Sequence, residues 1–243
     1  MIIEIEGIIL TEMPYGETSK IINVLTKEKG IIGIMCKGAK SMKSRLRALT
    51  MPFMYAKFYI YYKEGKLSLL KDVDLLDDFR TIHQDILLIA YANYLVELTH
   101  QVAKQEYDEE MYDLLLNGLK KIDQKLDPLV VTNIIELNFL KFLGIGLNLD
   151  GCVSCNSTNN IITLNADSGG FICKNCYTDE KIVDSKTIKT LRMYSYVDLK
   201  NISKINIETN VKYEINAFLN QYYDRYTGLY LKSKKFLNNI SEL

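Results

Sequence analysis

Hydrophobic periodicity changes once, near Asp78, and that change limits the fold more than any other feature of the 243-residue chain. Before it, apolar residues alternate at strand spacing; after it, they recur at helical spacing. Ile3, Ile5 and Ile8 to Leu10 open the first strand. Ile21 to Thr26 and Ile31 to Cys36 flank Lys27-Glu28-Lys29-Gly30, a hairpin signal ending in glycine. Phe53 to Lys63 and Leu67 to Val73 flank Glu64-Gly65-Lys66 in the same way. About five strands in ~75 residues suit a small barrel such as the OB-fold, with an SH3-like barrel as the competing arrangement. Beyond Asp78 the spacing predicts helices over 79–104, 108–122, from Asp127-Pro128 to Gly144, 184–197 and 211–240. The expected class is therefore α+β, with residues 1–78 as the barrel and helical segments at 79–150 and 181–243 around an insert at 151–180.

That insert carries the strongest chemical signal. Cys152-Val153-Ser154-Cys155 is followed by Cys173-Lys174-Asn175-Cys176. Two Cys-x-x-Cys pairs at this separation match a four-thiolate zinc site. Four sulfur ligands leave no open coordination position, so the expected ion is one structural Zn²⁺ holding a core-poor knuckle together. Gly169-Gly170 supplies the permissive backbone before the second pair. Cys36, the fifth cysteine, sits in an apolar strand and reads as a small buried hydrophobe.

Charge is local. The chain holds 30 basic and 30 acidic residues, yet no Asp or Glu occurs between Glu28 and Glu64. Residues 81–150 hold 5 basic and 11 acidic groups, so a phosphate backbone is expected on the first segment. Within the acid-free stretch, Lys37, Lys40, Lys43, Arg45 and Arg47 lie among small and polar neighbours, as a loop following phosphates would have them. The next strand places Tyr55, Lys57, Tyr59, Tyr61 and Lys63 on one face, and Ala56, Phe58, Ile60 and Tyr62 on the other. The first set suits base stacking with cations between the rings, so Lys57, Tyr59 and Tyr61 join the five loop cations as candidate DNA contacts. The alternative is that these tyrosines pack beneath the helical segment.

Other classes find little support. Neither a P-loop nor a Gly-x-Gly-x-x-Gly motif is present, and Gly144-Ile145-Gly146 reads as a helix stop. His83 and His100 both fall in the first long helical segment, outside any metal or triad motif. No apolar run approaches the ~20 residues that span a bilayer. Acids in the N-terminal MIIEIEGIIL argue against a signal peptide, which points to the cytoplasm. No enzyme and no nucleotide cofactor are expected.

Tyr15-Gly-Glu-Thr-Ser-Lys20, Thr26-Lys-Glu-Lys-Gly30, Lys37-Gly-Ala-Lys40, Lys43-Ser-Arg45-Leu46 and Pro52-Phe53 together resemble the N-terminal domain of the bacterial recombination mediator RecO. The order continues through Ala90-Tyr-Ala-Asn-Tyr94-Leu-Val-Glu97-Leu98, Phe139-Leu-Lys-Phe-Leu-Gly144 and the two cysteine pairs. The resemblance implies an OB-fold, a helical domain, a zinc knuckle and a non-catalytic role in recombinational repair near the bacterial nucleoid. It implies binding of single- and double-stranded DNA, annealing of complementary strands and RecR as partner. It also implies engagement of the C-terminal tail of single-strand-binding protein and, indirectly, loading of RecA. Lys141, beside Phe139 and Phe142, is a candidate for the tail, although both phenylalanines suit a core better. Lys232, Lys234 and Lys235 are further cations that could extend a DNA path. An RNA-binding OB protein with a structural zinc is the alternative.

Overall fold

The computed structural model describes residues 2–241, so Met1 and residues 242–243 of the expected end segments lie outside the described residues. The chain divides into two compact units, one of residues 1–123 with 231–243 and the other of residues 124–230.

The first unit begins with five strands: β1 (Ile2–Tyr15), β2 (Ser19–Thr26), β3 (Gly30–Cys36), β4 (Tyr55–Tyr61) and β5 (Ser68–Asp77). They close into a barrel in the order β1-β2-β3-β5-β4, with β1 returning to β4. Closure runs through a parallel pairing of β3 with β5, Ile34 opposite Ser68 and Met35 opposite Leu69. That order with one parallel seam is the OB arrangement; the antiparallel meander of an SH3-like barrel has no such seam. Ile9, Ile22, Ile34, Phe58 and Ile60 fill the interior and are fully buried.

β1 serves two neighbours. Its first half pairs with β4 and its second with β2, and both ladders overlap at Gly7 and Ile8. A Cβ at Gly7 would lie 2.3 Å from Val24 Cγ1 and 2.7 Å from the Leu25 carbonyl oxygen, so only glycine fits where the strands converge. The register then shifts between Ile9 and Thr11, a bulge that bends the strand around the barrel. Ile9 donates to the Met54 carbonyl at 3.0 Å and accepts from Phe53 N–H at 2.9 Å. These bonds hold Phe53 in a left-handed conformation, φ 69°, and anchor the far end of the loop that follows β3.

A four-residue helix, α1 (Leu46–Leu49), lies in that loop, and α2 (Arg80–His83), α3 (Ile86–Gln105) and α4 (Glu109–Asp123) follow the barrel. The single helix expected over 79–104 is two. Asp85, in extended conformation, caps α3 by accepting from Leu87 N–H at 2.8 Å, which separates α2 from α3. His83 thus belongs to α2 and only His100 to α3. The α3–α4 connection seals one part of the barrel. The Tyr107 hydroxyl lies 2.7 Å from the carbonyl oxygens of both Thr26 and Lys27, its ring covers Gly30, and Lys27 Nζ reaches Asp113 at 2.7 Å.

The helix expected over 211–240 is also two, because Gly228 at φ +62° ends it. Its second piece, α8 (Lys232–Ser241), rejoins the first unit and packs along α3. Glu97 on α3 caps it, accepting from Lys232 N–H at 3.2 Å and Ser233 N–H at 2.8 Å. A carboxylate there satisfies free N–H groups and meets the positive end of the helix dipole. Glu97→Ala is expected to cost about 0.5–2 kcal/mol. The loss should show as faster amide exchange confined to α8, and Glu97→Gln should recover part of it.

The second unit holds α5 (Pro128–Phe142), β6 (Asn148–Cys152), β7 (Ile161–Asn165), β8 (Gly170–Cys173), α6 (Ser185–Tyr194), a 3₁₀ turn at Leu199–Asn201 and α7 (Thr209–Tyr226). As the sequence predicts, α5 starts at Asp127-Pro128, with Asp127 as cap, and Gly144 follows its end at φ +70°. Phe139 is fully buried. α5 and α6 pack against α7, and the Tyr223 hydroxyl donates to the Glu136 carbonyl at 2.8 Å. The three strands form a small sheet in the order β6-β8-β7.

Candidate metal centre and nucleic-acid interface

All four sulfurs of Cys152, Cys155, Cys173 and Cys176 lie within 4.8 Å of one another, and Cys155 Sγ is 3.6 Å from Cys173 Sγ. Four sulfurs about 2.3 Å from a tetrahedral centre are separated by about 3.8 Å, so the cluster fits one metal ion with no other ligand. The local backbone explains the convergence. Cys152 ends β6 and Cys173 ends β8, and the two strands lie side by side. Each then turns tightly: Asn156 N–H donates to the Cys152 carbonyl at 2.8 Å, and Cys176 N–H to the Cys173 carbonyl at 3.1 Å. Cys152 and Cys173 are buried, whereas Cys155 is exposed.

Burial opposes ionisation of Cys152, but backbone N–H groups of Cys173, Ser154 and Cys155 outweigh it and bring the thiol down to about 6. Cys176 is pushed up to about 12, foremost by the neighbouring Cys155 and Cys173 thiols. Four thiolates so crowded require a cation to coexist. Cys36 differs: burial pushes it up to about 12, as suits an inert core thiol.

Both glycines before Cys173 have distinct reasons to be glycine. Gly169 adopts φ +71°. A Cβ on Gly170 would lie 2.2 Å from the Asn148 carbonyl oxygen, where β8 meets β6. The knuckle is clamped within its unit. Arg192 Nε donates to the Leu149 carbonyl at 2.9 Å while its guanidinium lies 5.2 Å from the centre of the buried Phe171 ring. The Tyr222 hydroxyl donates to the Ile145 carbonyl at 3.0 Å and that of Tyr226 to the Asp167 carbonyl at 2.6 Å.

The far side of the sheet is tied by Glu180, which accepts from Asn165 Nδ2 at 2.9 Å and Thr178 N–H at 3.1 Å. These bonds, the Asn165 amide first, hold its carboxyl at about 2, below the usual 4.5. A depressed carboxyl stabilises the fold above its unfolded value and stops doing so as pH falls through the folded one. Stability is therefore expected to decline between about pH 4.5 and pH 2 through this group. Glu180→Gln should flatten that part of an acid titration by lowering stability at neutral pH, so that variant and wild type converge as pH approaches 2.

The basic loop is pinned to the barrel. Lys40 N–H donates to the Thr18 carbonyl at 2.8 Å, Gly38 N–H to Ser19 Oγ at 3.4 Å, and Lys40 Nζ to the Gly16 carbonyl at 3.2 Å. Ala39 is fully buried, and Leu46 and Leu49 pack on the barrel core. Lys37, Lys40, Lys43, Arg45 and Arg47 all project outward. Among the described residues Lys37, Lys40, Lys43 and Arg47 make no ion pair, whereas Arg45 pairs with Asp72.

β4 alternates as its sequence predicts, with Ala56, Phe58 and Ile60 buried. Its outer face is not a free cationic surface. Tyr59 lies opposite Glu4 of β1 and Asp72 of β5, and Lys57 opposite Glu6 and Asp74. Lys57 Nζ is 2.7 Å from Glu4 and 3.9 Å from Glu6. Tyr59 is raised by partial burial and by its bond to Asp74. Tyr61 is 43% exposed, between Ile2 and Leu69. Tyr55 is held under α4: its hydroxyl donates to Glu6 at 2.9 Å, and Lys120 Nζ lies 5.5 Å from its ring centre.

Residues outside the expected set also border the loop. Lys20, only 6% exposed, pairs with Glu12 beneath it, and the exposed Met42 and Met51 flank the same cavity. The signal was the amphipathic spacing of Lys20 in an apolar strand; the methionines carried none. Lys141 Nζ bonds Asn138 Oδ1 at 3.1 Å and the Ser195 carbonyl at 3.2 Å. Lys234 lies 5.9 Å from the Tyr94 ring centre, and Lys232 and Lys235 are exposed. His83 Nδ1 is 3.2 Å from the Phe79 carbonyl. Among the described residues no helix is long and apolar enough to cross a membrane.

Comparison with known proteins adds to this geometry. The family model described as "Recombination protein O N terminal" matches residues 1–79, and "Recombination protein O C terminal" matches residues 83–235. A DNA repair protein RecO from Bacillus pumilus is 36% identical over 100% of this chain and 96% of its own. RecO of Exiguobacterium sibiricum is 35% identical over 100% of this chain and 99% of its own, and RecO of Bacillus subtilis 33% over 100% and 96%. With the OB barrel, the four-cysteine knuckle and end-to-end similarity in agreement, the chain belongs to the RecO family of DNA repair proteins.

Proposed function

We propose that this protein is a DNA-binding recombination mediator without catalysis of its own. It binds single- and double-stranded DNA through the barrel, anneals complementary strands and, with RecR, helps load RecA onto strands coated by single-strand-binding protein. It engages the C-terminal tail of the latter and works in the cytoplasm, at the nucleoid. The observation that carries the reading is the pinned loop 37–47, which presents Lys37, Lys40, Lys43 and Arg47 with no ion pair among the described residues. Cations already positioned lose little entropy on meeting phosphates, and they act on any sequence. Lys57, Tyr59 and Tyr61 remain candidate contacts, but the carboxylates around Lys57 and Tyr59 favour a strand path that follows the loop. The metal we assign to the four cysteines is Zn²⁺, in a structural role.

The test is annealing of complementary strands coated with single-strand-binding protein, with the wild type and a Lys40→Glu/Lys43→Glu/Arg47→Glu variant. Annealing by the wild type and at least tenfold slower annealing by the variant is the expected result. Equal rates would remove the loop from the DNA path. Tighter binding to RNA than to DNA of one sequence would favour an RNA function.

A further inference from the structure

A cavity of about 460 Å³ lies between the β1–β2 hairpin and the loop, lined by Glu12, Pro14, Lys20, Lys40, Met42, Arg47 and Met51 among others. We propose that it receives one unstacked base of a single strand whose phosphates lie on Lys40, Lys43 and Arg47. The inference rests on the DNA-binding reading above and adds a base-binding site to it.

Three observations support a base. First, the size falls in the ~300–1,000 Å³ range of ligand pockets, so it has room for a nucleobase. Second, the floor is an ion pair with its cation buried and its carboxylate open to the cavity. Lys20 is 6% exposed and joined to Glu12. The pair cancels its own charge and offers a donor beside an acceptor, which matches the mixed polar edge of a base. An acidic peptide would meet the Glu12 carboxylate and gain less. Third, two exposed thioethers stand at the mouth. Met42 is 82% exposed and Met51 41% exposed, unusual for large hydrophobic side chains, and thioethers make favourable contacts with aromatic rings. Arg47 touches the Met42 sulfur, so the cation and the apolar lip are set side by side. Phosphate at the rim with the ring inside follows from that order.

The experiment compares a single-stranded oligonucleotide with an abasic strand of equal length and charge, against wild type and Met42→Ala/Met51→Ala. A 2-aminopurine placed in the strand reports unstacking by a rise in fluorescence. Wild type is expected to prefer the base-bearing strand about tenfold and to raise the fluorescence. The variant should lose most of both and bind the abasic strand as wild type does. Both methionines are surface residues, so folding should persist, and circular dichroism checks it. Unchanged base preference and fluorescence in the variant would overturn the proposal while leaving phosphate binding intact. Equal wild-type affinity for both strands would do the same. Binding of neither strand would bring down the DNA-binding reading itself. An acidic, phenylalanine-containing peptide that binds wild type and not the variant, with base preference unchanged, would overturn it in favour of a peptide site.

Discussion

Serine in place of Cys152 and Cys173 together should reduce bound metal from one ion per chain to almost none and release the knuckle from its unit. These are the two buried sulfurs of the four. Their replacement leaves Cys155 and Cys176 without a closed ligand set, and structural zinc sites contribute about 10–16 kcal/mol of apparent binding in small peptides. The Arg192, Tyr222 and Tyr226 contacts keep part of the packing, so the loss should be regional. Amide exchange across β6, β7 and β8 is expected to accelerate by about 100-fold or more, with α3 and the barrel strands little changed. Chelation should reproduce the effect, and acid should favour it because protons compete for thiolates. Protein purified without metal that shows wild-type exchange in β6–β8 would refute a structural ion. Gly170→Ala gives an independent approach, since its Cβ would displace the Asn148 backbone with every cysteine intact.

Replacing Lys40, Lys43 and Arg47 by alanine should weaken DNA binding on all sequences alike and reduce its salt dependence. Each lost phosphate contact removes about 0.7–0.9 from the slope of log affinity against log salt, so three should lower it by about 2–3. The controls carry the structural argument. Arg45→Ala should change the slope less than any single substitution among the three, because Asp72 already pairs its guanidinium. Lys57→Ala should change it little, with Glu4 at 2.7 Å. Tyr59→Ala and Tyr61→Ala separate stacking from packing: a loss on single strands greater than on duplex indicates stacking. If Lys57 proves as important as Lys43, the strand must cross the β4 face despite its carboxylates.

The contrast between loop and strand also shows where the sequence sufficed. The acid-free stretch from Lys29 to Lys63 is real, but its local charge is a one-dimensional fact. Glu4, Glu6, Asp72 and Asp74 lie outside it along the chain and beside it in the sheet, within one strand spacing of Lys57 and Tyr59. Strand register therefore decided which cations are neutralised. At the other end of the stretch, Tyr107 and Asp113 claim the Lys27–Gly30 turn for packing. Lys20 and Glu12 were legible only as isolated charges; the β1–β2 ladder sets Lys20 opposite Pro14 and so brings its ammonium diagonally to Glu12.

What the sequence determined by itself was written in short-range chemistry. Alternation in β4, the Asp127-Pro128 helix start, the Gly144 stop and the two cysteine turns each depend on neighbours a few residues away. The breaks at Asp85 and Gly228 belong to the same class, although helical periodicity on either side masked them. Only the tertiary structure decided that β3 meets β5 in parallel, that α8 returns to the cap supplied by Glu97, and that the β4 face is lined with carboxylates. Those outcomes join residues up to 136 positions apart. They depend on which apolar faces bury together, and that is a property of the whole packed unit.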